Sequence, residues 1–575
     1  MADSHSAGAG SSPAPTAPPR TLNEIIRTTT VSYLDTIDPA APPAPSQIEA
    51  ELLRAVNTEL DVENQVRPSR DKFLSLKRLT FSQVAQIMLH LHQICRIGTS
   101  GKNSDPDYDL LALYCDEGPD TGIYLTNEDG FRAVARRYDY AMTTNDFREV
   151  FAALKDAAPR RYRCMDRDLI PVGNGIFNFR TKVLQPFDPD LVFLSKSQVE
   201  YQETAQNVVL HNPEDGTDWD VESWMASLSD DPEVVELLWE ITGALLRPMV
   251  RWNKSAWLYS EEGNNGKGTL CEAWRNLVGP ASYASIPIAD FGKDFMLEPL
   301  TRAQAIIVDE NDVGTYVDRA ANLKAVITND VISINRKHKT PVSYQFYGFM
   351  VQCLNEMPRI KDKSESFYRR QLFVPMVKNF KGIERRYIKD DYLHRPEVLQ
   401  YMLKRVLHMD YYVLSEPEAT QRVLSEYKDF NDPVRAFFEE FHDQFTWDLL
   451  PFSFLYDLYK AWFAKTSPSG SLVGRNTFIK DIGALVRSDQ YPQWACEDSR
   501  AKIRVSTRMS VPETLVAQYD LSDWKNPGYT GSDPKIIGLP AVDKTQSFCG
   551  VQRIATVAQL GMTQGTGTSG PDPNP

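Results

Sequence analysis

Lys267 lies in the run Gly263-Asn264-Asn265-Gly266-Lys267-Gly268-Thr269, and residues of these types at this spacing can hold a triphosphate. Glycine and asparagine let successive backbone N–H groups turn inward onto phosphate oxygens. A helix starting near the lysine adds partial positive charge, and the ammonium reaches the β/γ oxygens. Two positions depart from the strict GxxxxGK[ST] spacing, which would place glycine at Glu261 and a hydroxyl at Gly268, so the magnesium-side hydroxyl falls to Thr269. Hydrolysis also needs carboxylates at the C-terminal end of the neighbouring strand. Asp309 and Glu310 directly follow the apolar run 305–308. Asp309 is assigned to the metal, directly or through water, and Glu310 to orienting or deprotonating the attacking water.

Three further groups stand in the same stretch. Asn355 ends the apolar run 349–354, where an amide can touch a γ-phosphate or hold the attacking water. Arg369 and Arg370 precede another strand-like run, and an arginine offered across a subunit boundary stabilises transition-state charge. Arg336, Lys337, His338 and Lys339 form the turn between the strand-like runs 331–334 and 342–346, a basic hairpin tip suited to a phosphate backbone. Taken singly, each of these is also what a solvated turn looks like. Their succession is what carries the reading.

Positioning such groups requires strands that end at a common edge. The run 256–259 leads into the glycine turn, and Leu270, Ala273, Trp274 and Leu277 follow at helical spacing. Across 221–415 apolar runs alternate with helical segments, the α/β signature of a mainly parallel sheet. An α+β accessory domain is expected over 47–220, and a small domain over 430–510 with two helical patterns, FIKDIGALV and the strand-like IRVST. The first twenty residues are rich in Ala, Ser, Pro and Gly, and 40–46 is a Pro/Ala spacer, so 1–46 is expected to be a disordered segment. The Gly-, Pro-, Ser- and Thr-containing stretch 526–575 is expected to be a flexible tail. No repeat of fixed period is visible.

At 575 residues the chain exceeds one hydrophobic core and calls for about three to four domains. Its 42% hydrophobic and 24% charged residues are ordinary for a globular protein. A net charge of −14 argues against wholesale coating of nucleic acid, while leaving room for positive charge on a few loops. The seven cysteines are scattered without a CxxC pair, which supports neither a zinc site nor a disulfide framework and suits a reducing cytoplasm. No apolar run approaches the roughly 18 residues of a membrane span, and the N-terminus lacks the basic and apolar regions of a secretory signal.

The series GNNGKGT, AIIVDEND, LKAVITNDVISINRKHK, CLNEMPRI and FYRRQLFVPM resembles the Walker A, Walker B, hairpin, sensor and arginine-finger series of superfamily 3 helicases. In particular it resembles the C-terminal helicase of the phage and plasmid primase–helicases, also seen in poxvirus primase–helicases. The stretch DRDLIPVGNGIFNFRTKVLQPFDPDLVFLSKSQVEY is similar to the family's accessory domain, and WMASLSDDPEVVELLWEITGALL to its helical collar. The resemblance implies an AAA+-like P-loop ATPase core, followed by a winged-helix-like C-terminal domain. It implies ATP and Mg2+ as cofactors, and a hexameric ring of identical chains around single-stranded DNA at a replication fork. It also implies a phage, plasmid or mobile element working in a bacterial cytoplasm. Lys337 and His338 would be the DNA-contacting pair, and Arg370 the trans arginine with Arg369 its rival. A separate primase or polymerase partner stays open.

Two other readings stand beside this one. A primase needs strand-borne carboxylates for two metal ions, and the nearest candidates are Asp166 and Asp168. An origin-binding initiator would use its nucleotide site as an assembly switch and read duplex DNA through Arg475, Lys480 and Arg487.

Overall fold

The computed structural model describes residues 19–98, 105–337, 339–466, 472–487, 490–540 and 542–554, with 339 and 340 as backbone alone. His338 lies outside the described residues, as do 1–18 of the expected disordered segment and 555–575 of the expected tail. The chain divides into two compact units, Met1–Asp362 with Arg369–Gln421, and Lys363–Tyr368 with Arg422–Pro575.

The first unit opens with helices α1 (Leu22–Leu34), α2 (Pro45–Gln65) and α3 (Phe81–Leu91). A four-stranded sheet and two more helices follow: β1 (Ile94–Gly98), β2 (Leu110–Tyr114), β3 (Tyr124–Leu125), α4 (Glu128–Tyr138), α5 (Thr144–Ala157) and β4 (Arg160–Tyr162), in the order β3-β2-β1-β4. Contrary to expectation, residues 21–46 are largely folded rather than disordered. Thr21 and Glu24 form a capping box at the head of α1, and Ile25, Ile26 and Leu34 are buried in one core with Ile48 and Leu52 of α2 and Ile87 of α3. An antiparallel meander β5 (Leu169–Val172), β6 (Gly175–Asn178) and β7 (Val183–Gln185) comes next, then the hairpin β8 (Leu210–Asn212) and β9 (Thr217–Trp219). Helices α6 (Val221–Ser227) and α7 (Pro232–Leu246) lead into the central sheet.

That sheet contains β10 (Ser255–Tyr259), which runs through the glycine turn into α8 (Lys267–Val278), then β11 (Tyr283–Ala284) and β12 (Ala305–Val308). Next come β13 (Tyr316–Val317), α9 (Ala321–Ile327) and the hairpin β14 (Val331–Arg336) and β15 (Lys339–Gln345). The unit continues with β16 (Phe349–Leu354), β17 (Arg359–Ile360), β18 (Gln371–Pro375), α11 (Arg386–Asp390) and α12 (Pro396–Leu407). The order is β11-β12-β16-β10-β18 and every pairing is parallel. One detail differs from the sequence reading: the acid-bearing β12 does not adjoin β10, because β16 lies between them. The apolar run of β12, and that of β16 broken only by Gln352, are what a sheet covered on both faces requires, and both strands are buried throughout. In the core beneath, Trp274 of α8 is fully buried and its indole N–H donates to Thr242 Oγ1 of α7 at 2.7 Å, which fixes α8 against the preceding helix.

The second unit holds α10 (Glu365–Tyr368), most of α13 (Glu418–Asn431), α14 (Pro433–Phe441), β19 (Leu449–Pro451), α15 (Phe452–Thr466) and α16 (Arg475–Val486). It ends with β20 (Trp494–Ala495), β21 (Lys502–Arg504), α17 (Thr514–Gln518), α18 (Pro534–Ile537) and β22 (Ser547–Arg553). The expected flexible tail is corrected here. β22 is the strand on which the unit's sheet is built, pairing antiparallel with β19, β20 and β21, and Val551 is fully buried.

Candidate functional site

The turn after β10 is built at the C-terminal edge of the central sheet. Asn264 has φ 58° and Gly266 φ 86°, so the backbone passes twice through the left-handed region before α8 begins at Lys267. A side chain at Gly266 would also meet Leu228 Cδ2 at 2.7 Å, so glycine is required on two counts. The buried Asn265 clips the turn: its Nδ2 donates to Glu262 O at 2.5 Å, and its Oδ1 accepts from Lys267 N at 3.3 Å. Glu261, standing where the strict pattern wants glycine, is exposed and accepts from Tyr259 OH at 3.0 Å. The chain beyond β18 runs beside the turn, with Met376 N donating to Tyr259 O and Phe380 N to Asn264 O at 2.8 and 2.7 Å.

Lys267 is 5% exposed. Its ammonium donates to Asn355 Oδ1 at 2.8 Å, Leu354 O at 2.9 Å and Ser260 O at 3.3 Å, three neutral oxygens at the ends of β10 and β16. Burial without a carboxylate pushes its pKa below the ordinary lysine value. Asp309, at the end of β12, forms a two-pronged pair with Arg275 of α8, at 2.9 and 3.2 Å. The guanidinium holds this carboxyl below the usual range. Glu310 is exposed beside it. Asn311 turns back into the sheet instead: buried, it donates to Gln352 Oε1 and Cys353 O at 3.0 and 3.1 Å and accepts from Ile288 N at 2.9 Å. Thr269, with Asn264 and Gly266, faces a cavity of about 720 Å³.

The sheet therefore gathers Lys267, Thr269, Asp309, Glu310 and Asn355 at one edge. Arg369 and Arg370 are not with them. Arg370 O accepts from Ser255 N at 2.8 Å, and Gln371 is in register with Ser255, so the pair sits at the opposite end of the strands. A five-residue strand spans about 16 Å. Burial, then the charge of Arg369, lowers the pKa of Arg370.

The hairpin forms as expected, with a register shift between Ile334 and Arg336 next to its turn. Ile332, Ile334, Val342 and Tyr344 are buried on its inner face, and Lys337 is exposed at the turn. Asn335 Nδ2 donates to Asp294 Oδ1 at 3.0 Å.

Sequence reading missed Arg275, Asn311 and the stretch after β18. The last carried a signal: Lys378, Lys381, Arg385, Arg386 and Lys389 put five cations into twelve residues of an acidic chain. Of the acids considered for primer synthesis, Asp168 is buried, paired with Arg180 at 3.0 Å and accepting from Tyr412 OH at 2.6 Å, while Asp166 accepts from Asp168 N at 2.9 Å. These are structural bonds. Among the described residues no cluster of three or more His, Cys, Asp or Glu could hold a metal, and no helix is long and apolar enough to cross a membrane.

An open parallel sheet with a cationic glycine turn and an acid pair at its C-terminal edge defines an α/β protein whose site suits a phosphorylated ligand. Residues 118–235 match the family described as D5 N terminal like, and 430–526 the family described as Poxvirus D5 protein-like. Residues 258–370 match a family of unknown function, DUF5906. The two D5-type matches support a likeness to the D5-type primase–helicase family over those segments. No curated protein matches. Among solved structures, an apo A form of the NrS-1 C-terminal region is 11% identical, covers 76% of this chain and 89% of its own, and has a TM-score of 0.37. A second A form of the region gives 11%, 77%, 90% and 0.39, and another apo structure 12%, 62%, 79% and 0.35. At these TM-scores the likeness carries no argument.

Proposed function

We propose that the chain is an ATP-hydrolysing DNA helicase of the superfamily 3 type, working as a hexameric ring on single-stranded and fork DNA. The observation that carries the reading is Lys267 held 2.8 Å from Asn355, with Asp309 and Glu310 at the same sheet edge. A buried ammonium bonded only to neutral oxygens is ready to exchange them for phosphate oxygens. The left-handed backbone at Asn264 and Gly266 supports the same reading, since turns of this kind can present backbone donors to an anion. Asn355, released as Lys267 moves to phosphate, is free to orient a water, with Glu310 to take its proton. Thr269 and Asp309 are hard oxygen donors that suit Mg2+, which completes its shell with phosphates and water rather than a protein cage. When bound, the metal supplies charge neutralisation at the β/γ oxygens. Both oxygens of Asp309 are engaged by Arg275, which favours contact through water.

The basic hairpin is the part read as gripping DNA, through Arg336, Lys337, His338 and Lys339, and Arg370 or Arg369 would reach the site of a neighbouring subunit. The helix, strand, helix, helix, strand order from α14 to β20 supports a winged-helix-like reading of the second unit. Nothing in the bonds of Asp166 and Asp168 favours primer synthesis.

The test separates the two parts. Lys267→Ala is expected to abolish hydrolysis. Lys337→Ala is expected to keep basal hydrolysis while losing its stimulation by single-stranded DNA and the separation of a forked duplex. Undiminished turnover in Lys267→Ala would refute the nucleotide site, and unwinding by Lys337→Ala would refute the hairpin assignment.

A further inference from the structure

The cavity beside the glycine turn is walled on one side by Asn264, Gly266 and Thr269 and on the other by residues that no part of the proposed motor uses. Trp219 and Trp224 contribute aromatic surface from the approach to the sheet, and Phe380 and Ile388 come from the stretch after β18. Arg385, Arg386 and Lys389 stand on its rim. Asp218, Asp220, Glu384 and Asp390 line it too, so it carries charge of both signs beside its aromatic and aliphatic surface, and at about 720 Å³ it has the size of a small-molecule site.

Lys389 is the informative member. A side chain at position 268 would begin 4.0 Å from its ammonium. Among the described residues Lys389 forms no ion pair, and its charge reaches Asp309. Glycine in a helix costs about 0.5–1 kcal/mol relative to alanine, so Gly268 in the first turn of α8 calls for a reason. Bare backbone there leaves the space beside the Lys389 ammonium open, where an alanine methyl would already stand in van der Waals contact with it.

We propose that this cavity seats the base and ribose of a nucleoside triphosphate, and that Lys389 is a second cation from the same chain on its phosphates, reaching them across the bare backbone of Gly268. This rests on the nucleotide reading of Lys267. Aromatic walls suit the face of a base, which is worth burying and stacking on any of the four. The phosphates then run from the cavity over Gly268 toward Lys267, with a cation at each end of the path. Phe380 N bonded to Asn264 O ties the Lys389 segment to the turn, so ligand contact on one would be felt by the other.

The experiment is equilibrium binding of ADP and of a non-hydrolysable ATP analogue to the full chain, by calorimetry, with single-stranded DNA binding measured in parallel. Lys389→Ala is expected to weaken both nucleotides about tenfold, the effect of one charge-assisted contact, with DNA affinity and melting temperature unchanged. Lys389→Arg should recover part of the loss, and Gly268→Val should reproduce it. Trp224→Phe should reduce the change in tryptophan fluorescence on nucleotide addition. Wild-type nucleotide affinity in Lys389→Ala, with Lys267→Ala defective, would overturn this proposal alone. Wild-type affinity in both would overturn the nucleotide reading beneath it.

Discussion

Arg163 Nη1 donates to Tyr344 OH at 2.7 Å, and its Nη2 donates to Gln345 O at 2.8 Å. Tyr344 OH passes the bond on to Thr301 O at 3.2 Å, and the guanidinium lies 5.1 and 5.0 Å from the ring centroids of Tyr344 and Tyr347. Arg163 follows β4, so the accessory region grips the root of the basic hairpin. Lysine cannot reproduce this forked contact. Both Arg163→Ala and Arg163→Lys are therefore expected to speed amide hydrogen exchange across 332–345 and to cut DNA-stimulated hydrolysis several-fold, with basal hydrolysis kept. Exchange unchanged in this stretch would show that the hairpin root needs no such anchor.

The buried ammonium of Lys267 gives a pH dependence with a definite sign. Only the charged form attracts phosphate, and burial has lowered its pKa from the ordinary 10.5. Nucleotide affinity is therefore full below the lowered value and falls as pH rises through it, beginning on the acid side of 10.5. Across that range binding should take up a proton, seen as a calorimetric enthalpy that varies with buffer ionisation heat. Lys267→Arg should flatten the alkaline limb, since guanidinium stays charged. A limb that persists in Lys267→Arg would assign the titration elsewhere.

Arg370 and Lys267 lie at opposite ends of the same strands, which makes mixing informative. Neither Lys267→Ala nor Arg370→Ala should turn over alone. A mixture contains boundaries that pair an intact lysine with an intact arginine, so about a quarter of boundaries at equal amounts should be active, on random assortment of two faces each. Zero activity in the mixture, with assembly verified, would put the arginine's role within its own chain. The same mixture made with Arg369→Ala decides between the two arginines.

Much of the site could be read along the chain because its parts are local. The strands 305–308 and 349–354 are short apolar runs, the second interrupted only by Gln352, and both appear with those bounds. Strand order could not be read: β11 has only two residues, and nothing in the chain says that β16 separates β12 from β10. Asn311 was hidden inside an acidic turn, since its burial depends on a backbone carbonyl some forty residues later. Lys389 was hidden for the same reason, its neighbour Gly268 being far away in sequence. Helix α1 was legible after all, because Thr21 and Glu24 have the capping-box spacing ahead of an apolar pair. β22 was not, since a strand in a stretch dense in glycine, proline and serine has no periodicity to show.

Only Phe346, Tyr347 and Gly348 separate β15 from β16, and they are held tightly: Asn329 Nδ2 donates to Phe346 O at 2.9 Å, and a methyl on Gly348 would strike Gln304 O at 2.3 Å. The finger read as gripping DNA and the strand that leads to Asn355 are thus consecutive segments, joined by a short packed link that bends at Gly348. Force applied at the tip travels along β15, the link and β16, roughly 50 Å of chain in all, and arrives at the amide that holds Lys267. Such a load path runs equally well in both directions, so a stalled polynucleotide should retard phosphate chemistry as directly as that chemistry drives the polynucleotide.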